Sequence, residues 1–222
     1  MEHGIAAAST PSAPSTRSCC CGGGSKPPAG NGRPAPIAGA FELIDHFGQP
    51  VNERSYGDRH LLVFFGFTHC AVVCPRELGK LGRALELLGP LASRLQPLYI
   101  TVDPARDDPG TMRRFLAQFA GGFVGLTGSA EQIEAAKKSY RIFAAPLDEP
   151  AAPSGYVVSH TAFTYLMRPG GRYEAHFPEV IGAESIAGKI RARLGQTAGA
   201  RALQDVDALP VNGGDACGHL GM

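Results

Sequence analysis

From residue 41 onward, apolar positions recur with the periods of strands and helices in alternation. Phe41-Glu-Leu-Ile-Asp-His-Phe47 fits a short strand, closed by the turn signals Gly48 and Asn52. Leu61-Leu-Val-Phe-Phe65 is a continuous apolar run of strand length, the pattern of a strand covered on both faces. After Pro75, Leu78, Leu81, Leu85 and Leu88 recur at helical spacing, and Gly89-Pro90 ends that helix. Gly79 and Gly82 weaken it. Leu95 to Val102 is a second strand. Pro109 opens a helix carrying Met112, Phe115, Leu116 and Phe119, which ends at Gly121-Gly122. Phe123 to Leu126 is a further strand. A helix over 130–142 follows, with Thr127 or Ser129 as its cap. Tyr156 to Met167 is one long strand. Pro169-Gly170-Gly171 turns it into a hairpin partner at Arg172 to Phe177, and a helix over 183–194 closes the pattern.

Strands alternating with helices imply one α/β domain over 39–195, with a mixed sheet between helices. Residues 1–38 are rich in Ala, Ser, Pro and Gly and poor in large apolar groups. Such a segment does not repay its ordering entropy and is expected to be a flexible arm. Residues 196–222 are expected to be a flexible tail. No internal repeat occurs.

Composition changes this picture little. Hydrophobic residues make up 44% and charged residues 18%, which suits a packed core. The formal charge is +1 without a basic stripe, so no nucleic-acid partner is expected. No run of about 18 apolar residues occurs, so no membrane span is expected. The first ten residues lack a basic start followed by an apolar stretch, so no signal peptide is expected.

The six cysteines form a cluster (Cys19, Cys20, Cys21), a pair (Cys70, Cys74) and a late single, Cys217. They are not spread as in a disulfide-stapled small domain. Cys70 and Cys74 follow the Leu61–Phe65 strand, at the carboxyl edge where α/β sheets build sites. With Pro75 as the first helical residue, Cys74 falls at the helix N-terminus, where free amides favour a thiolate. Cysteines four positions apart put both sulfurs on one side if the turn is helix-like. The pair can grip a soft metal or close into a disulfide. The three-residue gap, one longer than the thioredoxin-type spacer, tilts the reading towards metal. Two inert buried cysteines are the bland alternative.

His160, in Tyr156-Val-Val-Ser-His-Thr-Ala162, is either an ordinary strand histidine or a third ligand, whose imidazole would also suit divalent copper. His69 is a surface residue or a tuner of the thiols. Asp103 follows the second long strand and is either a turn residue before Pro104 or a tuner of the site. Cys19 to Cys21, and Cys217 with His219, are candidate soft-metal grips or incidental. No phosphate loop, dinucleotide fingerprint, His-Glu-x-x-His pattern or nucleophile elbow occurs.

Four stretches together resemble the SCO/SenC family of copper chaperones, which assemble the copper centre of cytochrome c oxidase. They are Gly66-Phe-Thr-His-Cys-Ala-Val-Val-Cys-Pro75, Val102-Asp-Pro-Ala-Arg-Asp-Asp-Pro109, Phe123-Val-Gly-Leu-Thr-Gly128, and Val158-Ser-His-Thr161 with Tyr165-Leu166 and the Pro169-Gly-Gly171 turn. The resemblance implies a thioredoxin-like fold with an inserted β-hairpin. It implies that Cys70, Cys74 and His160 bind copper as Cu(I) and Cu(II), and that Asp103 lies near the metal or a partner. It implies delivery to the copper-accepting subunit of cytochrome c oxidase or another cuproprotein, by a monomer or weak dimer. The alternative it carries is thiol-disulfide exchange by Cys70 and Cys74 on cysteines of that subunit, served by a thiol reductant. Family members work at the outer side of an energy-transducing membrane, periplasmic or membrane-associated. Ala71 and Val72 stand where many members have Pro and Asp, and Ser159 where an acidic residue is common, so negative charge near the site is lost.

Overall fold

A computed structural model describes residues 36–152 and 155–206. The strands are β1 (Glu42–Asp45), β2 (Pro50–Asn52), β3 (His60–Gly66), β4 (Leu95–Thr101), β5 (Val124–Thr127), β6 (Ala144–Asp148), β7 (Tyr156–His160), β8 (Phe163–Met167) and β9 (Tyr173–Pro178). The helices are α1 (Val73–Leu88), α2 (Pro109–Leu116), α3 (Ala130–Tyr140) and α4 (Ala183–Val206). The main sheet runs in the order β2-β1-β5-β4-β3-β8-β9. β3, β4 and β5 are parallel, and the outer strands pair antiparallel. Every residue of β3 and β4 is buried, as expected of central strands covered on both faces. α1 packs against α4, α2 lies on β5 and α3 on β1. β6 and β7 form a separate two-stranded hairpin inserted between α3 and β8. The architecture is a thioredoxin-like mixed sheet flanked by helices, with an inserted hairpin.

Helix starts follow the local chemistry. Asp108 caps α2 by accepting the Thr111 N–H at 2.6 Å, with Pro109 in the first turn. Ser129, rather than Thr127, caps α3 through a reciprocal capping box with Gln132. α1 begins at Val73, two residues before the expected Pro75. Proline is tolerated there because amides of the first turn have no intrahelical acceptor. Gly82 is no defect in α1, since a Cβ there would meet the Ala120 carbonyl oxygen at 2.6 Å.

Three further expectations need correction. The strand drawn over 156–167 is two strands in two sheets. β7 pairs with β6, β8 pairs with β3, and the chain changes sheets at Thr161-Ala162. Thr161 fixes that step, because its N–H donates to the Phe143 carbonyl (2.9 Å) and its hydroxyl accepts the Phe143 N–H (3.2 Å). β6 and the short β2 are absent from the sequence reading. Each begins or contains proline, which an edge strand tolerates. α4 runs on to Val206 rather than stopping at 194. Cys19, Cys20, Cys21, Cys217 and His219, with most of the expected arm and the end of the expected tail, lie outside the described residues.

Candidate metal centre

The site forms where β3 ends. Gly66 closes the strand, the segment 67–72 turns, and Val73 starts α1. Within the turn, the Cys70 N–H donates to the Phe67 carbonyl at 3.2 Å. The sulfur of Cys70 accepts the Cys74 N–H at 3.4 Å. The N-cap residue Val72 has no side-chain hydrogen bond to offer. The Cys70 sulfur therefore stands where a capping oxygen would, at the positive end of α1.

That placement corrects the expected division of labour. Cys70, not Cys74, receives the amides of the helix terminus. A hydrogen bond from the Cys74 thiol, then amides of Cys74, Val72 and Val73, pull the half-buried Cys70 down to about 5, against burial. Cys74 moves in the opposite direction. Its hydrogen bond to Cys70, its burial and the nearby Cys70 charge hold its thiol well above the ordinary value. The reduced pair is one thiolate and one thiol sharing a proton.

His160 is the last residue of β7, brought to this loop by the hairpin. Its Nε2 lies 4.0 Å from the Cys74 sulfur. Its Nδ1 lies 3.1 Å from the Thr161 carbonyl oxygen. A carbonyl only accepts, so the proton belongs on Nδ1 and the Nε2 lone pair faces the sulfur. Phe64 and Phe67 meet the imidazole at ring-centroid distances of 6.4 and 6.0 Å, near edge-on. As placed, no three His, Cys, Asp or Glu side chains among the described residues gather into a metal-holding group. The Cys70 sulfur is engaged by the Cys74 N–H, while the Cys74 sulfur faces His160. A surface cavity of about 600 Å³ opens over Cys70 and His160, lined also by Phe67, Val72 and Val157 among others, with Cys74 buried behind it.

His69 is no partner of the thiols. Its Nδ1 lies 3.1 Å from the Thr68 hydroxyl and 3.7 Å from the Asp107 carboxylate. Asp103 also faces elsewhere. Its carboxylate pairs with Arg106 and accepts the Tyr156 hydroxyl at 3.1 Å. The Arg106 guanidinium stacks 3.8 Å over the Tyr156 ring. This cluster fastens the hairpin that carries His160.

The sequence reading missed Asp107. It is fully buried, accepts the Thr68 N–H (3.0 Å) and the hydroxyls of Thr68 (2.6 Å) and Thr101 (2.7 Å), and so ties the Cys loop to the end of β4. Its place in the Asp103–Pro109 motif was visible, but its partners lie on two other segments, the Cys loop and the end of β4.

A parallel-cored sheet with a dithiol at a strand-to-helix junction, faced by a histidine from an inserted hairpin, defines a thioredoxin-like thiol protein. Comparison narrows the class. The SCO1/SenC family profile matches residues 29–195, and the chain belongs to that family. Among curated relatives, "Protein SCO2 homolog, mitochondrial" of Mus musculus is 39% identical over 70% of this chain and 62% of its own length. The chain thus spans about six-tenths of that relative. Among solved structures, Arabidopsis thaliana ScoI with copper bound superposes with a TM-score of 0.68 at 31% identity, over 72% of this chain and 99% of that one. Bradyrhizobium japonicum ScoI with copper bound gives 0.63 at 35% identity, over 70% and 98%.

Proposed function

We propose that the protein binds copper through Cys70, Cys74 and His160 and delivers it during assembly of the cytochrome c oxidase copper centre. The observation that carries this reading is the approach of His160 Nε2 to the Cys74 sulfur, across 86 residues of sequence. A sulfur and an imidazole nitrogen sharing one first-row metal at a trigonal angle stand about 3.7 Å apart, given bonds of about 2.3 and 2.0 Å. The separation of 4.0 Å is within a small side-chain movement of that value. Two thiolates suit Cu(I), and the imidazole extends the set to Cu(II). The Nδ1 contact with Thr161 orients the ring as a ligand, as second-sphere acceptors do for metal-bound histidines. The relatives with copper bound support the same cargo.

Handover then proceeds by ligand exchange. Cys70, the less buried member of the pair, is the sulfur an incoming acceptor ligand reaches first. The recipient in this reading is the copper-accepting oxidase subunit or another cuproprotein. Anaerobic titration of the reduced chain with Cu(I) tests the assignment. One equivalent binds tightly, Cys70→Ala and Cys74→Ala each abolish tight binding, and His160→Ala chiefly weakens Cu(II). Copper binding that survives loss of both cysteines unchanged refutes the ligand set.

The thiolate–thiol pair also favours a second reading, reduction of disulfides in the recipient. Cys70 would attack and Cys74 would resolve the mixed disulfide, with a thiol reductant restoring the pair. Turnover of a protein disulfide by the metal-free chain measures it, and absence of turnover removes it.

A further inference from the structure

Tyr99, in the middle of β4, is fully buried, with the rings of Phe64 and Phe115 at 6.0 and 5.8 Å. Its hydroxyl has no formed hydrogen bond among the described residues. A buried hydroxyl without a partner costs free energy that phenylalanine, of the same shape, would not. The oxygen projects into the space above Gly66. A Cβ on Gly66 would lie 2.5 Å from the Tyr99 oxygen and 2.7 Å from the Cys74 sulfur, so the two atoms face each other across the gap that this glycine leaves.

We propose that Tyr99 is a positioning residue of the dithiol, its hydroxyl donating a hydrogen bond to the Cys74 sulfur while the pair is reduced or metal-bound. In the reduced pair that sulfur is the thiol beside Cys70, with lone pairs able to accept. In the copper-loaded protein of the reading above, it is a metal-bound thiolate. A disulfide sulfur is a far weaker acceptor, so the hydroxyl favours the reduced and metal-bound states over the oxidised one.

Tyr99→Phe in the full chain tests this, and its first arm needs no metal. On closing their disulfide Cys70 and Cys74 lose two electrons and the one proton they share, while one oxidised glutathione gains the two electrons, that proton and a second from solvent, and becomes two thiols. Equilibration in glutathione mixtures, quenched by alkylation and read by mass, gives the constant. Loss of the hydroxyl shifts it about fivefold towards the disulfide, close to 20 mV, while the melting temperature holds or rises. An equilibrium unchanged within error in a folded variant overturns the proposal. The second arm rests on the copper reading. In Tyr99→Phe the sulfur-to-Cu(II) charge-transfer band moves to longer wavelength, and Cu(I) affinity falls about fivefold. An unmoved band in a loaded variant also overturns the proposal. If the wild type takes up no copper, the proposed function falls, and the glutathione equilibrium still decides the role of Tyr99.

Discussion

Asp107→Asn isolates the group that fixes the thiol loop. The carboxylate is fully buried and accepts three hydrogen bonds. One oxygen takes the Thr68 N–H and the Thr101 hydroxyl, and the other takes the Thr68 hydroxyl. Asparagine keeps the shape and one oxygen, and the Thr68 hydroxyl can turn to accept from the new amide. The loss is then mainly that of charge assistance. Hydrogen bonds to charged groups are worth about 1.5–3 kcal/mol and neutral ones about 0.5–1.5. Across three bonds the expected destabilisation is about 3 kcal/mol. For a chain of this length that lowers the melting temperature by about 6–12 °C. Urea unfolding of the reduced, metal-free protein measures the free energy. The alkylation rate of Cys70 reports the loop, and it should change because Thr68 no longer anchors the segment leading to that sulfur. A loss below about 1 kcal/mol with an unchanged alkylation rate refutes the argument that Asp107 holds the site.

Four other outcomes follow from the same geometry. Gly66→Ala forces a methyl against the Cys74 sulfur and the Tyr99 oxygen, which should cost about 1–3 kcal/mol and impair copper uptake; chemical unfolding and Cu(I) competition read the two effects. Cys70 should react with iodoacetamide well below pH 7 and lose that reactivity as pH falls through about 5, with Cys74 silent throughout; mass spectrometry after timed quenching checks both. The same depressed value means that the folded pair binds one proton fewer than the unfolded chain between pH 5 and the ordinary thiol range. The stability advantage of wild type over Cys70→Ser should therefore grow as pH rises from 5 to 8 and vanish below 5, in urea melts across that range. Asp103→Ala removes the carboxylate that pairs with Arg106 and accepts the Tyr156 hydroxyl, which loosens the hairpin, so Cu(II) affinity should fall more than Cu(I) affinity in parallel titrations.

The apolar pattern alone defined much of this protein. Leu61–Phe65 reads as a central strand because burial on both faces leaves a continuous apolar run, and Leu95–Val102 reads as a second strand. Leu78, Leu81, Leu85 and Leu88 read as one helix because a buried face repeats with the helical turn. The two cysteines were legible as a reactive pair because strand, loop and helix are contiguous around them. The structure decided what spacing cannot carry. Which thiol is the anion depends on where the first amides of α1 point, and they point at Cys70. The approach of His160 to the pair depends on a change of sheets at Thr161-Ala162, in a run whose apolar pattern does not break. The partners of Asp107 and the neighbour of the Tyr99 hydroxyl lie on other strands and loops. Periodicity records which face of an element is buried, whereas a site is a meeting of elements, and only the packed sheet brings those together.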